Sequence, residues 1–204
     1  MQECSTPVYS YSAGTPFPLP ALPETGFVGW LTPSGELLPA GATVRPMEDV
    51  IYEAIYLEYE QLDGAALIPT EDGACLRFFA AVDATSYDRL LAIAPAVTLC
   101  ATVDARGETL LAELSLRERF TAFGKSWYTT VTDSASVTRE DASVLHTAAF
   151  YVNVTYSNGA TRVISAKATE ENTRSVLSVA TAALADTETE YSPALLEVLN
   201  DLVS

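Results

Sequence analysis

The strongest indication of the fold lies in residues 150–165, which read FYVNVTYSNGATRVIS. Two runs of strand-forming residues, 150–156 and 161–165, flank Asn158-Gly159. This dipeptide between two such runs is the strongest short-range signal for a β-hairpin. The stretch therefore predicts two antiparallel strands joined by a turn at Asn158 and Gly159.

Two helices are expected after this hairpin. The first runs from about residue 171 to residue 184, where apolar residues recur at helical spacing. The second begins at Ser192-Pro193, an N-cap followed by proline at the first helical position. The apolar residues expected to face the core are Val176, Val179, Ala180, Ala183 and Leu184 in the first helix, and Leu195, Leu196, Leu199, Leu202 and Val203 in the second.

The chain before the hairpin mixes strands with one helix. Alternation of apolar and polar residues predicts strands over residues 65–68, 75–82, 97–103 and 126–131. Thr85 is expected to cap a helix over residues 86–94. Residues 110–125 fit a helix and a strand equally well. Together these elements predict a larger α+β domain over residues 61–204, with an antiparallel hairpin and C-terminal helices.

Residues 1–60 are expected to form a separate, mostly-β domain. Closely spaced prolines between residues 16 and 23 force an extended path, because proline fixes its own φ and restricts the residue before it. Gly26–Leu31 is a short apolar strand. Residues 50–59 alternate with apolar residues on both faces, which is typical of a strand that is partly covered on each side.

Glycines and aromatic residues follow a fixed order in this first domain. A strand and Gly14 precede a proline-rich turn, followed by TGFVGW at residues 25–30, a turn at Gly35 and GATVRPMEDVIYEAIY at residues 41–56. Trp30 would supply a large buried area to a small unit. Gly29 would permit close backbone approach, and Gly35 suits a turn with positive φ.

Over about residues 4–59 this order resembles the Listeria–Bacteroides repeat, also called the internalin B-repeat. The matching positions are Gly14, Gly26, Phe27, Gly29, Trp30, Gly35, Gly41, Ala54 and Tyr56. The resemblance implies a β-grasp-like module that serves as a stalk or adhesion element of bacterial surface proteins, without catalytic residues. That family usually repeats in tandem, whereas this chain has one copy.

The second half loosely resembles a domain that follows such repeats in surface proteins of gut Firmicutes. The shared features are GACLRFFAAVD at residues 73–83 and TRSVLSVATAALAD at residues 173–186. The resemblance implies no activity.

The charge balance disfavours two classes of partner. The chain has 27 acidic and 11 basic residues, a formal charge of −16, and its basic residues never adjoin. Nucleic acid and anionic lipid are bound by clustered Lys and Arg, so neither is expected as a partner. The longest apolar runs fall far short of the ~20 residues that span a bilayer, so no membrane insertion is expected.

The chain has few residues that could be catalytic or bind a metal. It has one histidine, His146, and three cysteines, Cys4, Cys75 and Cys100, with no Cys-x-x-Cys pair, so it could hardly supply the four or so N/S ligands of a typical zinc site. A Ser–His–Asp arrangement would need Ser134 or Ser143 with Asp133 or Asp141 near His146 in space. His146 is interpreted as structural, and Cys75 and Cys100 as buried small hydrophobes. No catalytic, cofactor-binding or metal-binding residue is predicted.

Three functions are therefore considered. The first is a non-catalytic surface or adhesion module of a bacterial exported protein, extracellular or on the cell surface, with a protein or glycan partner. The second is a phage virion accessory protein, such as a head fibre, decoration or tail component, bound to other virion proteins. The third is a carbohydrate-active hydrolase, which needs two carboxylates across a cleft.

Two further features bear on location and assembly. Residues 1–4 lack the basic and apolar regions of a secretory signal, so either an export signal has been removed or the protein does not use that route. The apolar C-terminal helix would suit a homo-oligomer.

Overall fold

A computed structural model describes residues 10–71, 73–168 and 172–204 of the protein. Strands account for 43% and helices for 18%, and the sheets are antiparallel. The predicted α+β class is therefore confirmed, with strands in the majority.

The N-terminal unit consists of short strands. They are β1 (Phe17–Pro18), β2 (Phe27–Leu31), β3 (Leu37–Leu38), β4 (Thr43–Val44) and β5 (Glu53–Tyr56). A three-stranded antiparallel sheet has the order β3-β2-β5, and β1 pairs with β4. Residues 10–58 of this unit contain no helix. The β-grasp-like arrangement stays a prediction.

One strand prediction in this unit is wrong. The alternating run of residues 50–59 is not one strand, because β5 ends at Tyr56 and a new strand begins at Tyr59. Between them, the amide of Leu57 donates to the carbonyl of Gly26 (2.9 Å), while the amide of Asp83 donates to the carbonyl of Glu58 (2.8 Å). The chain thus changes partner from one sheet to another within two residues.

The rest of the chain forms two five-stranded antiparallel sheets and three helices among its described residues. The strands are β6 (Tyr59–Gln61), β7 (Ala66–Thr70), β8 (Gly73–Asp83), β9 (Ala96–Ala105), β10 (Glu108–Glu113), β11 (Arg119–Ala122), β12 (Lys125–Asp133), β13 (His146–Thr155), β14 (Thr161–Ser165) and β15 (Asn172–Arg174). The helices are α1 (Ala84–Ile93), α2 (Val176–Ala185) and α3 (Pro193–Val203), with a short helical turn at Arg139–Asp141.

The two sheets share one plan. In the first, β11, β12 and β8 are neighbours, and both β6 and β7 pair with the other edge of β8. In the second, β10, β9 and β13 are neighbours, and both β14 and β15 pair with the other edge of β13. A single buried cluster includes Phe78 and Val82 of the first sheet, Phe150 and Val152 of the second, and Leu90 of α1. The largest core therefore lies between these elements.

The helix predictions need three corrections. Asp83, not Thr85, caps α1: its carboxylate accepts from the amide of Ser86 (2.8 Å), because β8 ends there in extended backbone. The helix α2 begins at Val176 rather than near residue 171, because residues 172–174 pair with β13 as a strand.

The helix α3 begins after Ser192 as predicted. The third correction concerns which of its apolar side chains are buried. Its Leu199 and Leu202 are buried, but Leu196 and Val203 are 37% and 39% exposed. The helix packs against α2. Its apolar stripe is therefore only partly covered.

Residues 110–125 form two strands, β10 and β11, with a crossing segment between them. Nearly all their side chains are exposed, including Leu110, Leu111 and Phe120. Periodicity in a sequence reflects burial of one face, so a segment exposed on both faces gives no clear pattern.

The N-terminal unit is seated on the loop of the β13–β14 hairpin. The hydroxyl of Tyr156 donates to the carbonyl of Val28 (2.6 Å), and Leu37 exchanges two hydrogen bonds of 2.9 Å with Ser157. Val28 and Leu37 are fully buried in the same cluster as the two large sheets. The division into domains at residue 60 stays a prediction, but the two parts share this core.

Removing the Tyr156 hydroxyl tests this seat. We expect Tyr156→Phe to lower the free energy of unfolding by about 1–3 kcal/mol, because the buried carbonyl of Val28 loses its donor. Tyr128→Phe is the matched control, since the Tyr128 hydroxyl donates to Asp88 on the surface (3.3 Å). Urea denaturation measures both variants. Equal small losses would mean that the buried bond is not a significant constraint.

Candidate functional site

None of the serines and aspartates considered for a Ser–His–Asp site is hydrogen-bonded to His146. His146 is 1% exposed, and both its ring nitrogens lack a hydrogen-bond partner among the described residues. Asp133 is bound by Arg77 through two hydrogen bonds of 2.7 Å, and Asp141 is paired with Arg106. These acids serve as ion-pair partners, and His146 lies within the fold, as its structural interpretation expects.

The two cysteines within the described residues are buried and free, while Cys4 lies outside them. Burial raises the pKa of Cys75 and of Cys100; nearby Asp133 and Glu113 respectively add to the effect. A raised pKa keeps a thiol protonated, and the thiolate is the nucleophile. Neither thiol is therefore activated for covalent chemistry.

The residues that match the repeat pattern form a small core. Trp30 is buried and its indole N–H donates to the carbonyl of Pro20 (2.7 Å). The Phe27 ring meets the rings of Trp30 and Tyr56 edge to face, with centroids 5.6 Å apart in both pairs. Ala54 packs against the same cluster. These side chains hold the unit together.

The glycines of the pattern have two different roles. A Cβ on Gly26 would lie 2.3 Å from the carbonyl oxygen of Leu57, and one on Gly29 would lie 2.4 Å from that of Leu38. Gly35 and Gly41 instead have φ of 85° and 81° with open space around them. Close packing therefore requires glycine at Gly26 and Gly29, and turn geometry requires it at Gly35 and Gly41.

The described residues line a cleft and a groove. A cleft of about 290 Å³ lies where the N-terminal unit meets β14, lined by Tyr56, Tyr59 and Lys167 among others. An open groove of about 820 Å³ lies at α3, beside the turn Arg139–Asp141 and the start of β8.

The larger surface, here called the carboxylate groove, has an acidic rim and an apolar floor. Its exposed carboxylates belong to Glu71, Glu140, Glu197 and Asp201. Half-buried Val198 and buried Leu202 line it as well, and Arg139 pairs with Asp201 at 3.5 Å. Among the described residues, no three His, Cys, Asp or Glu side chains are placed to share a metal ion.

The most unusual surface feature is the β11–β12 hairpin, here called the basic hairpin and defined as residues 117–125. Its two-residue turn is Phe123-Gly124, with φ of 52° and 76° as a type I′ turn requires. Phe123 is 100% exposed. Positive φ is a genuine outlier for a bulky residue, so the fold holds this ring outward at a cost in free energy.

Three basic residues lie in the same hairpin as this ring. Arg117, Arg119 and Lys125 lie in the basic hairpin with a single acid, Glu118. The Arg119 guanidinium lies 5.5 Å from the centre of the Tyr128 ring, and Lys125 pairs with Glu58. Arg117 and Arg119 have no ion pair with any described residue. A partly uncompensated positive patch therefore lies on a strongly acidic protein.

Sequence reasoning missed this hairpin. The signal was Phe123-Gly124 between two short runs, but Asn or Asp is the residue expected before glycine in such a turn. The flanking residues gave no alternation.

Comparison with known proteins gives no relative. No protein-family model matches the chain, and neither a curated protein nor a solved structure does. Within the described residues, none of the helices has the length and apolar character needed to cross a bilayer.

The turn strain at Phe123 has a measurable consequence. We expect Phe123→Asn to raise the free energy of unfolding by about 1 kcal/mol, because asparagine tolerates positive φ. Phe123→Ala is the matched control, since alanine removes the ring and keeps the strained backbone, and its stability should stay near that of the wild type. Urea denaturation compares them. Equal changes in both variants would contradict the strain.

His146 gives a pH prediction. Burial lowers its pKa, and the positive charge of Arg106 lowers it further. Protonation below the unfolded value of about 6.5 therefore favours the unfolded chain, so stability is full above that pH and falls as pH decreases towards the lowered folded pKa.

We expect His146→Leu to lose less stability than the wild type between about pH 7.5 and pH 5.5, because leucine does not titrate. Urea denaturation at both pH values measures the difference, and carboxylates contribute equally to both proteins. Identical losses would show that His146 is not the group responsible.

Proposed function

We propose that the protein is a non-catalytic interaction module of a bacterial exported protein, acting at the cell surface, and that the basic hairpin makes the contact. The observation that carries this proposal is Phe123, a fully exposed aromatic ring on strained backbone. Strained residues cluster at ligand-contacting sites. An aromatic ring also offers large contact area at low conformational-entropy cost.

The dispersed chemistry supports a non-catalytic role. The ring nitrogens of His146 have no partner among the described residues, and burial raises the pKa of both described cysteines. A nucleophile needs a base within hydrogen-bond reach, and an acid–base pair needs carboxylates set across a cleft. The carboxylates of the groove are exposed, and that of Asp201 is paired with Arg139.

The N-terminal unit supports the surface role. Its resemblance to the internalin B-repeat implies a stalk or adhesion element, for which a small self-contained core is sufficient. Leu19, Phe27 and Trp30 form such a core in this chain. In this proposal the N-terminal unit is a support, and the partner of the basic hairpin is a protein or a glycan.

Location is the first test. The producing culture is separated into washed cells, cytosol, medium and purified phage particles, and each fraction is searched for this chain by mass spectrometry. We expect the chain in the cell-envelope fraction. Recovery in particles at fixed stoichiometry would overturn the surface proposal in favour of a virion accessory protein. Recovery only in the cytosol would overturn both.

The contact surface is tested by adding purified protein to washed cells. We expect Phe123→Asn and Phe123→Ala to bind at least ~tenfold more weakly than the wild type, because the exposed ring is lost in both. Phe120 stays in place in both variants, and Leu111→Ala on the exposed β10 strand is the control for loss of an apolar side chain elsewhere. Unchanged binding of both Phe123 variants would contradict the proposal.

A further inference from the structure

The basic hairpin and the carboxylate groove lie at opposite ends of one strand. Gly73, the first residue of β8, lines the groove. At the other end of β8, Asp83 pairs with Trp127, which pairs in turn with Phe120 of the basic hairpin. A strand of 11 residues spans about 33 Å at ~3.3 Å per residue. The hairpin of a copy therefore cannot reach its own groove.

The two surfaces are complementary in charge. The basic hairpin presents Arg117 and Arg119 without an ion pair to any described residue. The groove presents exposed carboxylates, and its single guanidinium, that of Arg139, is occupied by Asp201. In a chain of formal charge −16, most of the remaining surface would repel a second copy. The basic hairpin is a place where two copies attract each other.

They are also complementary in polarity. Phe123 projects from the tip of the basic hairpin, with Phe120 beside it at 37% exposure. The groove contains Val198 and Leu202 below its acidic rim, and its volume of about 820 Å³ is ample for an aromatic side chain. A contact between the two surfaces would combine an exposed aromatic side chain with apolar lining residues and basic with acidic side chains, as an interface with an apolar centre and a polar rim does.

We propose that the protein self-associates head to tail, with the basic hairpin of one copy inserting Phe123 into the carboxylate groove of the next. This rests on the proposed role of the hairpin as the contact surface and names a second copy of the chain as its partner. Because the two surfaces differ, the contact is heterologous and leaves one free hairpin and one free groove on every open chain of copies. Assembly then continues into a filament or closes into a ring.

This contact would also cover part of α3, although the exposed Leu196 and Val203 of that helix do not line the groove. Glu197, Val198 and Asp201 lie on that helix and line the groove, so a second copy would cover part of the face that the first leaves open. The sequence led us to expect self-association through the C-terminal helix. In the present proposal that helix contacts the basic hairpin of a second copy.

Sedimentation velocity and light scattering on the full chain test the proposal. We expect the average mass of the wild type to exceed that of a monomer, to rise with protein concentration, and to fall as salt increases from ~50 mM to ~500 mM. Phe123→Asn in the hairpin and Glu197→Lys in the groove should each weaken association at least ~tenfold. Glu108→Lys, on the exposed β9–β10 hairpin, has the same charge change as Glu197→Lys and should assemble like the wild type.

Mixing the two defective variants is the decisive step. The Glu197→Lys protein has an intact hairpin and the Phe123→Asn protein an intact groove, so the mixture should form dimers of one copy of each and stop there. A two-fold symmetric contact, in which each interface needs both surfaces from both copies, would not be rescued in this way. A wild type that stays monomeric, or a mixture without dimers, would overturn the proposal.

Three further outcomes separate this proposal from the previous one. A monomeric wild type whose binding to cells depends on Phe123 would refute self-association and leave the surface role intact. A monomeric wild type that binds phosphatidylcholine–phosphatidylglycerol vesicles through Phe123 would refute the second copy in favour of lipid. Hairpin-dependent assembly of a protein found only in the cytosol would refute the surface role and leave self-association intact.

Discussion

The seat of the N-terminal unit on the β13–β14 loop is the contact on which the overall arrangement depends. The Tyr156 hydroxyl reaches the Val28 carbonyl inside the core, and the bare Cα of Gly29 leaves room for the ring edge, since a Cβ there would lie 3.0 Å from Tyr156 Cε1. Leu37 and Ser157 extend the contact: the amide of Leu37 donates to the Ser157 hydroxyl, and the amide of Ser157 donates to the carbonyl of Leu37. A small unit with a core of its own is thereby joined to the main core.

The main core explains where the surface is free to vary. The long strand β8 is buried almost continuously, and β13 is buried at alternate residues. Each of them pairs with neighbouring strands along its whole length. The strands β10 and β11 lie at the outer edges of the two sheets and contribute little to the core. A strained, apolar turn at Phe123 is compatible with the fold there, because the Phe123 side chain itself is fully exposed and is not part of the core. An interaction surface at the edge of the sheet therefore costs the fold the least stability.

Charge follows the same division. Acidic residues outnumber basic ones across the chain, yet the basic hairpin has the opposite balance, and the carboxylate groove concentrates the prevailing sign. The basic hairpin and the carboxylate groove lie at opposite ends of β8. The two ends of the molecule therefore differ in charge. Net charge alone indicates only solubility and the partners that are excluded.

The sequence by itself determined the elements with one buried face. The hairpin around Asn158-Gly159, the strand beginning near Cys75 and the helix after Ser192 were all predicted, because burial imposes a period and caps have specific chemistry. It failed where partners are distant in the chain. Residues 172–174 are a strand because β13 lies beside them, and the run at residues 50–59 is split because its two halves pair with different sheets.

The tertiary structure alone decided the candidate site. No sequence pattern marks Arg119 or Phe123 as a residue of a site. The exposed segment around them has no periodicity, and Phe is not the usual residue of a type I′ turn. Glu71, Glu140 and Glu197 come from three distant parts of the chain, and only the packing of α3 beside the start of β8 brings them to one groove. A site made of exposed residues from separate elements is set by their packing, and sequence patterns record burial rather than position on the surface.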